Sequence, residues 1–276
     1  LTLYLYALFQ SNTKSVAVSW SLTMLFILLP INILYQDQAH PFHLSMVLLV
    51  GCLYSISRVK YNSAHNYILP TLFFFLFQTA WANYIAGLLI IVFLYFKRYV
   101  PEYRNLYKTL SIVGAISIII QLGVLFMLGV TFPDCIKNIS LAMNSGMESI
   151  PFWKWSLTQG GYFKSNFSQI NIAFFAMFLI YAIGTGILFR NPLLFISTVL
   201  IMTGLIYASI FKSVSYYDAV TQIYFALAYV LLLGGVFVNV KKRIWIGKHM
   251  QFLGASVFFP ILVMTGFNSY QMLANK

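Results

Sequence analysis

Apolar residues fill most of the chain in runs of about 20, separated by short polar stretches. A helix rising 1.5 Å per residue needs about 20 such residues to cross the roughly 30 Å hydrocarbon core of a bilayer. The pattern therefore predicts spanning helices at 15–35, 41–57, 67–97, 108–130, 166–189, 192–213, 217–240 and 250–272. Strand-type alternation is missing, which argues against a β-barrel. The opening "LTLYLYALFQ" reads as the end of a further apolar segment and lacks the basic start and small-residue cleavage site of a signal peptide.

The third run is irregular. At 31 residues it is too long for one ordinary crossing, while two full crossings need about 40. Its middle reads "QTAWANY", Gln78 to Tyr84, which would put amides at the bilayer core of a single straight helix. A doubled-back pair of short helices resolves the conflict. Re-entrant backbone at membrane depth needs protein or a watery cavity around it, which makes Gln78 to Asn83 a candidate cavity lining.

Composition narrows the class. The chain has 276 residues, 61% hydrophobic, 18% aromatic and only 8% charged, where soluble domains carry roughly a quarter charged. The expectation is an all-α, polytopic integral membrane bundle of about 8–9 spans, one of them a hairpin or re-entrant segment. Residues 1–276 are expected to form a single transmembrane domain. The net charge of +12 fits Lys and Arg collected in cytoplasmic connections, so nucleic acid is not an expected partner.

Charge also sets the sidedness. Placing Lys14, Arg58, Lys60, Lys97, Arg98, Arg104, Lys108, Arg190, Lys241, Lys242, Arg243 and Lys248 in the cytoplasm puts 12 of the 17 cations there. That arrangement requires residues 67–97 to begin and end on the same face, in agreement with the hairpin. Asp37, Asp134, Glu148 and Asp218 then face outward. So does the connection 131–165, whose aromatic residues suit an amphipathic segment lying along the membrane surface.

Candidate chemistry is sparse. Asp37, His40 and His43 in "QDQAHPFH" join a carboxylate to two imidazoles able to move protons. Pro41 breaks any common helical face, so the bland alternative is a solvated connection between two spans. Asp218 opens the seventh run, where the helix dipole alone would favour an acid. Gln78, Asn83, Trp153, Trp155 and Asp218 are the candidate substrate contacts. In "YAIGTGIL", Ala182 and Gly186 have the spacing that lets helices approach closely, and packing is the expected meaning. Walker, HExxH and GxSxG motifs are missing, and no cofactor or metal site is expected. Cys52 and Cys135 fall at different depths and are not expected to pair.

Phe- and Tyr-rich, basic, many-spanning chains of this kind are similar to O-antigen polymerases and GT-C-type glycosyltransferases. The segment "FKSVSYYDAVTQIYFALAYVLLL", Phe211 to Leu233, resembles the late spans of such enzymes. The likeness is confined to that segment and that general character, and the first outer connection is shorter than the GT-C pattern requires.

The outward acid and histidines, the hairpin and the aromatic connection, together with that resemblance, suggest an envelope enzyme of the bacterial inner membrane acting on a lipid-linked sugar or similar amphiphile. Asp37 would act as general base, and the outer aromatic residues would hold sugar rings. Membrane lipids and a polyprenyl-linked substrate are the expected partners. A transporter or channel without its own ATPase domain is the alternative, with Gln78, Asn83, Gln121 and Asp218 along its path. A non-catalytic subunit bound to other membrane subunits is the third, its polar residues serving as glue between helices.

Overall fold

A computed structural model describes residues 1–35, 41–59, 64–79, 82–98, 101–144, 151–187, 191–211, 222–243 and 249–274. Those residues are helical throughout, joined by turns, and no strand occurs among them. In chain order the helices are α1 (Thr2–Thr13), α2 (Val16–Leu28), α3 (Pro30–Tyr35), α4 (Pro41–Arg58), α5 (His65–Phe77) and α6 (Ala82–Phe96). They continue with α7 (Pro101–Met127), α8 (Phe132–Asn144), α9 (Phe152–Gly184), α10 (Pro192–Ile210), α11 (Gln222–Arg243) and α12 (His249–Ala274).

Four stretches are long and apolar enough to cross a membrane: Tyr103–Met127, Phe167–Gly184, Pro192–Ile210 and Gln222–Val240. Val16–Leu28, Leu44–Arg58, His65–Phe77 and Asn83–Phe96 are apolar but shorter. Along α7, Ile112, Ile116, Ile119, Val124 and Met127 are all exposed. A continuous apolar strip of that length is not tolerated on a soluble protein, and lipid is the solvent that suits it.

Residue contacts divide the chain into two compact units, one of Leu1–Ala39, Leu157–Met202 and Val220–Lys276, the other of His40–Ser156 and Thr203–Ala219. In the first, α11 is the central helix, with Ile223 to Leu233 buried without interruption. Polar side chains tie its neighbours to it, Asn191 Nδ2 donating to the Gly235 carbonyl at 3.1 Å and Ser197 Oγ to the Ala228 carbonyl at 2.7 Å. The Ser269 hydroxyl of α12 donates to the Leu28 carbonyl of α2 at 2.6 Å. Such bonds matter where lipid offers no alternative partner.

In the second unit the irregular run at 67–97 is two helices, α5 and α6, joined at 78–81. They lie alongside each other in opposite directions. Phe77 meets Tyr84 edge-on with centroids 4.9 Å apart, and a turn further out the space at Gly87 is closed by Phe73 and Phe77. A methyl at Gly87 would sit 2.5 Å from Phe77 Cζ, so a hydrogen at that position is what lets the helices close up.

α4 runs antiparallel to α5. Ser45 pairs with Thr79 at one end, and His65 Nδ1 lies 3.3 Å from Ser55 Oγ toward the other. Tyr95 against Tyr107, at 5.6 Å, shows that α7 turns back along α6.

Two boundaries differ from the sequence expectation. The stretch 152–165, expected as part of an outer connection with a surface-lying amphipathic segment, is helical and forms the part of α9 before the break at Ser168. Of the small residues in "YAIGTGIL", Ala182 is fully buried, whereas Gly186 makes no close approach: it has φ +62° and nothing within 4 Å of the space its Cβ would fill. Instead it ends α9, with the Ile187 amide donating to the Ala182 carbonyl at 3.2 Å, the left-handed stop that glycine adopts without strain.

Candidate functional site

The one non-glycine residue inside a helix with a left-handed backbone among the described residues is Ser168, at φ 62° and ψ 155°. It breaks α9 one residue after the apolar span Phe167–Gly184 begins. A β-carbon in that region costs of order 1–3 kcal/mol and persists only where its surroundings hold it. Here the holding groups are visible. Asn171 Nδ2 donates to Ser168 Oγ at 3.2 Å and to Thr265 Oγ1 at 2.9 Å. Asn171 Oδ1 in turn accepts from the Tyr229 hydroxyl at 2.9 Å. Asn171, Thr265 and Tyr229 are fully buried. Phe163 stacks on Phe167 at 5.0 Å, and both contact rings of α11, Phe225 and Tyr229 respectively, which seats the part of α9 before the break on the central helix, while Phe175 against Tyr229 at 5.8 Å seats the part after it.

Beside the break lies an open cavity of about 550 Å³. One wall carries Lys164, Ser165, Ser168 and Gln169 from α9, and Asn268 of α12 adds a further amide. Pro30, Ile170 and Met264 supply the apolar remainder. A cation, two hydroxyls and two amides beside apolar side chains can hold an anionic or hydroxylated head group while leaving an apolar tail in contact with the span.

The residues expected from sequence are distributed differently. Gln78 and Asn83 do meet at the α5–α6 turn. Asn83 is fully buried, its Nδ2 donating to Ser45 Oγ, Thr79 Oγ1 and the Leu76 carbonyl at 3.1, 2.8 and 3.0 Å. Gln78 Nε2 reaches the Ser117 carbonyl at 3.2 Å and its hydroxyl at 2.5 Å. These bonds join α4, α5, α6 and α7 to one another. Trp153 is 65% exposed, whereas Trp155 is buried with its ring 5.5 Å from Phe152.

Asp37, His40 and Asp218 lie outside the described residues, and of His43 only its place in the first turn of α4 is described. The described residues contain no group of three or more His, Cys, Asp or Glu side chains able to hold a metal ion.

Sequence reasoning passed over Lys164, Ser168 and Asn268. The available signal was the polar spacing "KSNFSQIN", Lys164 to Asn171, at the mouth of a run taken as an ordinary span.

The helices and the cavity together define a membrane-embedded, all-helical protein with a polar recess where one span begins. Comparison of the chain with protein families, with curated proteins and with solved structures gives no match.

Proposed function

We propose that the protein binds an amphiphile with an anionic, hydroxylated head group, of the kind a lipid-linked sugar presents, and acts on it at the outer leaflet. The observation that carries this reading is the position of the Lys164–Ser168 cavity at the first turn of an apolar span. A head group would sit there at the level of the lipid phosphates, with its chain against Ile170 and Met264. Lys164 supplies the charge and Gln169 and Asn268 the amides that recognise hydroxyls.

Asp37 remains the proposed general base, with His40 and His43 near it in sequence. It follows Tyr35, the last residue of α3, by two positions. Trp153 and Trp155 remain proposed sugar contacts, of which Trp153 is exposed and Trp155 buried.

Transport is the second reading, favoured by the broken helix, because carriers build substrate sites from interrupted spans. Those breaks lie near the bilayer midplane. The break at Ser168 lies at a span's edge, which supports head-group binding over passage.

The test is titration of the purified full chain with a polyprenyl diphosphate-linked sugar. Lys164→Gln is expected to weaken binding about tenfold, the scale of one lost charged hydrogen bond, and Asp37→Asn to bind normally while failing to turn the substrate over. Unchanged binding by a folded Lys164→Gln variant would remove the cavity from the function.

A further inference from the structure

The end of α6 and the start of α7 enclose a second cavity, of about 760 Å³, lined by Tyr95, Phe96, Arg98, Arg104, Tyr107 and Lys108. Among the described residues its lining holds three cations and no carboxylate. The segment from Tyr95 to Lys108 contains four cations against one acid, Glu102.

The arrangement is built. Tyr95 and Tyr107 meet edge-on at 5.6 Å and bring the two helix ends together. The Arg98 guanidinium lies 3.9 Å above the centre of the Tyr95 ring, which fixes it over the opening. Arg104 and Lys108 stand one turn apart on α7.

Left to itself this geometry is unfavourable. Like charges at i and i+4 repel along a helix. Arg104 also sits in the first turn of α7, where the helix dipole already presents positive charge. An anion between the helices reverses both effects.

We propose that this pocket binds a phosphate ester of net negative charge, its oxygens shared by Arg98, Arg104 and Lys108 with the Tyr95 and Tyr107 hydroxyls as neutral donors. Guanidinium groups match phosphate through paired N–H donors. Phe96, 70% exposed beside the opening, offers the apolar contact that an acyl chain would use. Phosphate ester is the chemistry common to a phospholipid head group and a soluble phosphate, and the two differ in whether the Phe96 side is used.

The experiment uses the full chain in neutral detergent, followed by native mass spectrometry with added phosphatidylglycerol or phosphatidylcholine. A parallel arm measures the shift in melting temperature with inorganic pyrophosphate. Wild-type protein is expected to retain phosphatidylglycerol about tenfold over phosphatidylcholine. The triple variant Arg98→Gln, Arg104→Gln, Lys108→Gln should lose that preference, while Lys137→Gln on α8 keeps it.

Should the triple variant fail to accumulate, Arg104→Gln alone is expected to reduce the preference at least threefold. Stabilisation by pyrophosphate that the variant lacks, without lipid preference, would assign the pocket to a soluble phosphate. Equal retention of both lipids with no pyrophosphate effect, or a preference that survives the substitutions, would overturn the proposal.

Discussion

Tyr229 of α11 donates its phenolic hydrogen to Asn171 Oδ1 of α9 at 2.9 Å, deep in an otherwise apolar environment. The same asparagine reaches Thr265 of α12, so one amide joins three helices beside the Ser168 break. Tyr229→Phe is expected to cost about 1 kcal/mol, the net worth of one hydrogen bond. Asn171→Ala should cost about 2–3 kcal/mol, because it leaves the buried Tyr229 hydroxyl without its acceptor and removes the link to Thr265, which keeps only its bond to the Ile261 carbonyl. Thermal unfolding of the two single variants and the double variant, read as a cycle, should give a combined loss smaller than the sum of the single losses. Additive losses would mean that the residues do not act as a unit.

Ser168 carries a β-carbon in backbone space that suits glycine. Ser168→Gly removes that penalty and gives up the bond from Asn171, so its melting temperature should be equal to or higher than wild type. Ser168→Val adds a branched β-carbon at the same φ and should lower stability by more than about 1 kcal/mol. A Val variant as stable as wild type would show that the helix does not break there.

Tyr67 lies near the start of α5 and Lys97 just beyond the end of α6, and the antiparallel packing of the two helices brings these ends to one side of the hairpin. With Cys52 and Cys135 replaced by serine, Tyr67→Cys and Lys97→Cys should both react with an impermeant thiol reagent from the same face of sealed vesicles. Labelling from opposite faces would exclude the hairpin and the sidedness proposed for the whole chain. Gly87→Leu should disrupt this pair by about 1–3 kcal/mol through overpacking against Phe73 and Phe77.

Asp134 closes a capping box at the start of α8. Its carboxylate accepts from the Thr131 amide at 2.9 Å, and the Asp134 amide donates to Thr131 Oγ1 at 3.4 Å. The bonds from the Thr131 side chain and amide hold its pKa below the ordinary aspartate value. A depressed carboxylate pKa contributes stability that is fully present above the unfolded value and is lost as pH falls through the folded one. Protection of the α8 amides, corrected for the intrinsic pH dependence of exchange, should therefore fall as the pH drops below the usual aspartate range. Asp134→Asn should remove most of that dependence, and a pH profile identical in the two proteins would rule out the cap.

The pattern of apolar runs already contained most of the helices and much of their bounds, though not α8 or the part of α9 before Ser168. Hydropathy and length are local quantities, and lipid demands both of any spanning segment. The excess length of 67–97, together with its amides, was enough to indicate two helices where a smooth pattern would have meant one. The limit shows at Gln78 and Asn83. Their position in an apolar run marked them as special, but a side chain that lines a cavity and one that bonds a neighbouring helix look the same in one dimension.

Residue by residue, then, the amino-acid order determined that this is a helical chain for lipid, where its helices fall and where it doubles back. Only tertiary packing decided what the polar residues meet. Asn171 finds Thr265 across 94 positions of sequence, and Lys164 and Asn268 come to line one recess from helices that share no local signal. The physical reason is that helices in hydrocarbon are apolar on nearly every face, so periodicity no longer says which face turns inward. The choice passes to a few hydrogen bonds and close contacts between residues distant in sequence.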